Sequence, residues 1–130
     1  MQGYIDWHLR GATTIVEKGW GREIIFTDNN LYTGKLLEFK ADKNISLHFH
    51  VKKHETWYVA KGRLKMFSVD PRTAEEADTE LKVGDVVELP PGAIHRLYSY
   101  EDSTIFEVST PDDPKDSYRI EPGDSQKEDK

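Results

Sequence analysis

Ligand-type side chains concentrate in two short stretches of this chain. The first, Ile45 to Gly62, carries His48-x-His50 and then the adjacent pair His54-Glu55; the second, Gly84 to Ser99, delivers His95 just behind the turn Pro90-Pro91-Gly92. Four of the five histidines fall in these stretches, a distribution that chance explains poorly. On a strand, side chains i and i+2 share a face, so His48 and His50 project together while Leu47, Phe49 and Val51 point the other way. Two imidazoles about 7 Å apart along the backbone can lean together onto one ion at roughly 2.1 Å. His95, entering on a second strand, would join them.

The fourth group is less determined by spacing. The Lys52-Lys53 pair reads as a break after which a neighbouring strand opens, and that strand offers either Glu55 or His54. If Glu55 faces the histidines, Trp57 and Val59 follow it; if His54 does, Thr56, Tyr58 and Ala60 follow. Three neutral imidazoles with one carboxylate suit one divalent ion such as Zn, Fe, Mn, Ni or Co. The chain has no cysteine, which excludes thiolate cages, disulfides and cysteine nucleophiles. Coordination positions left open point to a working site rather than a structural staple.

The elements that must position these residues read as strands. Short apolar or alternating runs, separated by Gly, Pro, Asn and Asp, recur at the spacing of a sandwich or barrel. They are Tyr4–Leu9, Thr13–Val16, Arg22–Phe26, Gly34–Lys40, Ile45–Val51, Glu55–Ala60, Arg63–Val69, Thr79–Leu81, Val86–Leu89, His95–Tyr100 and Thr104–Ser109. Pro71–Asp78 reads as a solvated excursion, because it has no apolar face. Residues 1–120 are expected to form one domain, with 121–130 a polar, mobile tail that adds nothing to the core. At 130 residues there is room for one core. The formal charge of −6 without a basic run gives no footprint for nucleic acid or anionic lipid. Apolar runs too short to span a membrane, and an N-terminus without signal-peptide character, lead to the expectation of a cytoplasmic protein.

The two motifs, His48-x-His50-x4-Glu55-x6-Gly62 and Gly84-x5-Pro90-x-Gly92-x2-His95-x3-Ser99, resemble those of the cupins. Within that family the chain is most similar to the mannose-6-phosphate isomerase type, including the C-terminal domain of mannose-1-phosphate guanylyltransferases. The shared residues are Val16-Glu17-Lys18-Gly19-Trp20-Gly21, Glu55-Thr56-Trp57-Tyr58-Val59, Ile94-His95-Arg96-Leu97, and Glu107-Val108 followed by Asp112-Asp113 and Arg119. The resemblance covers roughly residues 14–120, with core motifs at 42–62 and 84–99. It implies an all-β jelly-roll, or double-stranded β-helix, barrel holding one divalent metal on His48, His50, Glu55 and His95. The chain departs from the isomerase type at His48, where a glutamine is usual. It also departs at Asp42, Ser99 and Gly19, which stand for a glycine, an asparagine and a proline.

The resemblance implies a small metal-dependent isomerase acting on a sugar phosphate or another hydroxylated small molecule. Glu107 and His54 are candidates for the base, and Trp57 for a wall of the substrate pocket. Two other functions use the same ligands: an Fe(II)-dependent cupin dioxygenase, and a module that binds metal and sugar without turnover. Lys52, Lys53, Arg63, Lys65 and Arg96 read as a solvated rim, some of which would bind a substrate anion. His8 reads as an ordinary surface residue. The apolar face of Leu47, Phe49 and Val51 needs a cover, from an N-terminal strand or a second copy, which makes a homodimer the expectation.

Overall fold

Alternation of buried and exposed side chains sorts the strands into two layers that enclose an apolar core. The computed structural model describes residues 12–127. The strands are β1 Thr14–Lys18, β2 Gly21–Asp28, β3 Thr33–Phe39, β4 Lys43–Asn44, β5 Leu47–Phe49, β6 Glu55–Lys61, β7 Arg63–Val69, β8 Glu76–Lys82, β9 Val86–Leu89, β10 Ile94–Ser99, β11 Ser103–Ser109 and β12 Tyr118–Glu121. A 3₁₀ turn, Pro114–Asp116, and a four-residue helix α1, Asp124–Lys127, complete them. One sheet has the order β1-β2-β3-β11-β6-β9; the other runs β12-β5-β10-β7-β8, with β4 also on β10. The pairings are antiparallel. This is the expected jelly-roll barrel.

Leu37, Phe39, Trp57, Val59, Leu64, Met66, Leu97 and Ile105 fill the space between the sheets, with Trp20 stacked on Phe39 at 4.5 Å. On β6 and β11 the period of two is strict: Glu55, Trp57, Val59 and Ile105, Glu107, Ser109 face in, while Tyr58, Phe106 and Val108 face out. Inward carboxylates on otherwise apolar rows are the first structural sign of a functional interior. The β6–β7 turn depends on Gly62, whose φ is 87° and whose absent Cβ would strike the backbone of Asp102 and Ser103. Asp42, in place of the motif glycine, has φ of 62°. Aspartate tolerates that region better than most residues, and its carboxylate accepts a hydrogen bond from the Tyr98 hydroxyl.

Several expectations change. The run 45–51 is interrupted at Ile45-Ser46, between β4 and β5. Gly123 lies against that break, where a Cβ would meet the backbone of Ile45 and Ser46. The described part of the polar tail is therefore docked: Asp124 Oδ2 accepts from the Asn44 amide at 2.6 Å, and Ser125 Oγ from the Gly19 amide at 3.1 Å. Composition missed this because the contacts are polar and use backbone groups. Strand β8 begins at Glu76 rather than Thr79, since it is an edge strand whose pairing with β7 needs no apolar alternation. Strand β12, exposed throughout, escaped notice for the same reason. It pairs with β5 and stacks Tyr118 on Phe49 at 5.2 Å, while Leu47 is buried. The face expected to need a second copy is thus largely closed by the chain itself. The Tyr4–Leu9 strand and His8 lie outside the described residues. Among the described residues no helix is long and apolar enough to cross a membrane.

Candidate metal centre

His48 on β5 and His95 on β10 are direct cross-strand partners, so the two motifs meet by register. Ring centroids lie 4.5 Å apart for His48 and His95, 5.1 Å for His48 and His50, and 6.2 Å for His50 and His95. Each Nδ1 faces a backbone carbonyl: His48 that of Ser46 at 2.8 Å, His50 that of Asp116 at 2.9 Å, and His95 that of Ala93 at 2.9 Å. A carbonyl can only accept, so each Nδ1 carries the proton and each Nε2 keeps its lone pair. One ligand nitrogen from each ring lies within 4.8 Å of the others. His95 Nε2 is buried without a hydrogen-bond partner. Burial lowers all three imidazoles from their usual range, His48 to about 3 with help from His95, and His95 to about 4. Neutral rings, a shared focus and an orphaned buried nitrogen fit a divalent metal ion, which this three-histidine group can hold.

Glu55 stands beside the histidines, with Oε2 3.5 Å from His50 Nε2. It faces inward with Trp57, whose Nε1 donates to Glu55 Oε1 at 2.9 Å and to Glu107 Oε1 at 3.2 Å. Burial, reinforced by the charge on Glu107, raises the Glu55 carboxyl to about 8. Among the described residues it has no lysine or arginine within ion-pair distance, so a divalent cation would supply the missing charge.

Glu107 is compensated differently. Lys53 Nζ lies 3.0 Å from Glu107 Oε2 and 3.0 Å from Asp112 Oδ1. Lys35 Nζ reaches Asp112 Oδ2 at 2.9 Å, Glu23 Oε2 at 3.5 Å and Glu107 Oε2 at 3.9 Å. Burial would raise Glu107, but Lys53 and Lys35 outweigh it and hold the group below the usual carboxylate range. The same lysines take Asp112 to about 2 against its burial. Burial opposes the charge on both lysines, yet the surrounding carboxylates keep each above its ordinary value.

A loop clamp holds this arrangement. The Asp116 carboxylate accepts from the amides of Val51 at 2.9 Å, Lys52 at 3.0 Å and Lys53 at 3.1 Å, while its carbonyl orients His50. The 3₁₀ turn therefore fixes both a histidine and the lysine that pairs with Glu107.

The structure brings His48, His50, Glu55, His95, Trp57 and Glu107 together. His54 is a correction: it lies outside the cavity, half exposed, with Nε2 3.8 Å from Glu88. The strand parity that turns Glu55 inward turns its neighbour outward. Lys53 is a second correction, since it is buried rather than part of a solvated rim. Lys35 was also missed, although its parity with Leu37 and Phe39 on β3 marks it as inward. Arg96 points away from the centre, with its guanidinium 5.1 Å from the Phe67 ring. The cavity holds about 330 Å³, and its lining also includes Lys18, Ser46, Ser117, Arg119, Ser125 and Gln126.

A double antiparallel sheet closed around three convergent imidazoles and a buried carboxylate pair defines a metal-binding jelly-roll barrel. The chain belongs to the cupin family, whose model, described as Cupin, matches residues 38–121. Among solved structures it is similar to the capsular polysaccharide assembling protein CapF from Staphylococcus aureus, with TM-score 0.76 and 17% identity over 89% of this chain and 34% of that one. It is also similar to oxalate decarboxylase of Bacillus subtilis, a protein with Mn(II) centres, with TM-score 0.71 and 18% identity over 87% of this chain and 34% of that one. This chain spans about a third of the length of each, and at such identities the likeness concerns the fold. No curated protein sequence matches the chain.

Proposed function

We propose that the protein is a metal-dependent isomerase of the mannose-6-phosphate isomerase-like type, interconverting aldose and ketose forms of a phosphorylated or otherwise polyhydroxylated small molecule. The observation that carries this reading is Glu107, a buried carboxylate kept ionised by Lys53 in the same cavity as the three histidines. His48, His50, His95 and Glu55 would hold the divalent ion. When bound, that ion supplies Lewis-acid polarisation of adjacent carbonyl and hydroxyl oxygens, which acidifies the neighbouring C–H.

Glu107 would take the proton from the carbon beside the carbonyl and return it to the former carbonyl carbon, so that one group serves as base and acid in turn, while the proton of the neighbouring hydroxyl passes to the former carbonyl oxygen and its own oxygen becomes the new carbonyl. Lys53 and Lys35 hold its position and balance its charge between the two steps. Trp57 Nε1, shared by both carboxyls, sets the distance between the base and the metal ligand Glu55. Lys18 and Arg119, which also line the cavity, form no ion pair with a described residue, which leaves both available to an anionic group of the substrate. A cavity of about 330 Å³ suits a small molecule.

The test is incubation of metal-loaded protein with mannose 6-phosphate and a panel of other aldose phosphates. Aldose–ketose conversion is expected, abolished in Glu107→Gln with metal content retained. Absence of turnover across the panel, or turnover of a different kind that consumes oxygen with Fe(II), would overturn the proposal.

A further inference from the structure

Beyond β12 the chain crosses from one sheet to the other along the wall of the metal cavity. It leaves β12 at Glu121; Asp124 Oδ2 then accepts from the amide of Asn44 on β4 at 2.6 Å, and Ser125 Oγ from the amide of Gly19 in the β1–β2 turn at 3.1 Å. Strand β4 pairs with β10 in one sheet, whereas β1 and β2 belong to the other, so residues 122–127 form a strap between the layers. Ser125 and Gln126 line the cavity beside Lys18, Trp20, Ile45 and Ser46, the chain neighbours of the two anchor points. Two glycines permit the approach. A Cβ on Gly19 would strike the backbone of Asp124 and Ser125, and one on Gly123 would strike that of Ile45 and Ser46. Gly19 also stands where the isomerase type carries a proline, a residue with no amide to donate to Ser125.

We propose that this strap is the gate through which small molecules reach the metal centre. Much of the cavity wall is paired strand, as at Leu37, His48, Trp57 and Glu107. The lining segments outside strands differ in how firmly they are held. The 3₁₀ turn at 114–116 is clamped, because the Asp116 carboxylate accepts from three successive amides. The strap has no such hold: among the described residues two hydrogen bonds tie 122–126 to the sheets, and no large apolar side chain of this segment is buried. Its remaining bonds close on itself, with Gly123 N donating to Gln126 Oε1 at 2.8 Å and Gln126 N to the Gly123 carbonyl at 3.2 Å. It can therefore lift as one turn, giving up two hydrogen bonds and leaving the core intact, as segments that open well before the whole fold do. Closed, it shields the histidines and Glu107 in the manner of a lid. A part for the strap in turnover rests on the isomerase reading; its control of access does not.

Carbethoxylation of the histidines by diethyl pyrocarbonate, resolved residue by residue by peptide mass spectrometry, tests the proposal on the full chain stripped of metal. His54, half exposed and outside the cavity, is the internal reference. In the wild-type protein His48, His50 and His95 are expected to react about tenfold or more slowly than His54. Gly19→Ala, whose methyl meets the strap backbone, is expected to raise the rates at His48 and His50 about fivefold, with His54 and the far-UV circular dichroism unchanged. The double variant Asp124→Ala, Ser125→Ala removes both anchors without adding bulk; the same rise is expected, and it serves should Gly19→Ala fold poorly. Cavity histidines that react as fast as His54 in the wild type, or rates that neither variant changes, would overturn the proposal. Access that depends on the strap, with no turnover of any aldose phosphate, would sink the isomerase reading alone. Turnover with access independent of the strap would sink the gate alone.

Discussion

Replacing Lys53 by methionine removes a buried cation while keeping most of the side-chain volume. Its amine lies 3.0 Å from both Glu107 and Asp112, with Lys53 and Glu107 exposed by 6% and 4%. Taking away one partner of such a pair leaves the other charge uncompensated, at a cost of about 3–5 kcal/mol. The Asp112 half is discounted, because that side chain is 34% exposed and water screens it. Lys35, 3.9 Å from Glu107, offsets a further part, so a loss of ~3 kcal/mol at pH 7 is expected for Lys53→Met. With a urea slope of about 1–3 kcal/mol per M, the midpoint should fall by roughly 1.5 M in metal-free protein. Adding Glu107→Gln removes the stranded charge, so the double variant should recover about 2 kcal/mol relative to additivity. A Lys53→Met loss below ~1 kcal/mol, or additive single and double variants, would show that these charges are solvated and refute the account of Glu107 as a clamped base.

Acid should destabilise the metal-free protein in a definite window. His48 and His95, held at about 3 and about 4, stay neutral in the fold while the unfolded chain takes up protons below about 6.5, so stability is present above that pH and is lost as pH falls towards 4. Urea midpoints at pH 7 and pH 5, measured in a Glu55→Gln background so that the carboxyl raised to about 8 does not offset the rings, should differ accordingly, and equal midpoints would contradict the burial of these rings. Asp116→Ala should lower metal affinity by roughly 10–100-fold in competition titrations, since it frees the loop that carries His50 and Lys53; Asp116→Asn, which keeps one acceptor, should lie between.

The legible part of this chain was whatever obeys a period of two. His48 and His50 share a face because a strand places alternate side chains together; Glu107 was a pocket candidate by resemblance only, and the structure puts it on the inward row of β11 with Ile105. Spacing failed at His54 and Glu55 because the break at Lys52-Lys53 resets the parity, and the reset depends on Asp116, 63 residues from Lys53 in sequence. Lys53 itself looked like surface, since a lysine is buried only when distant carboxylates supply its partners. Strand β12 and the docked residues 123–126 were hidden for a related reason: they are held by backbone and polar contacts that leave no mark in hydropathy.

The most direct measurement of the central claim is elemental analysis of protein purified without chelator or a metal-affinity tag, then re-equilibrated with each of Zn, Fe, Mn, Ni and Co. About one divalent ion per chain is expected, lost in His50→Ala and His95→Ala but retained in His54→Ala, whose ring lies outside the cavity. Protein that takes up none of these ions, or loses metal equally in His54→Ala and His50→Ala, would contradict the assignment of the centre to His48, His50 and His95.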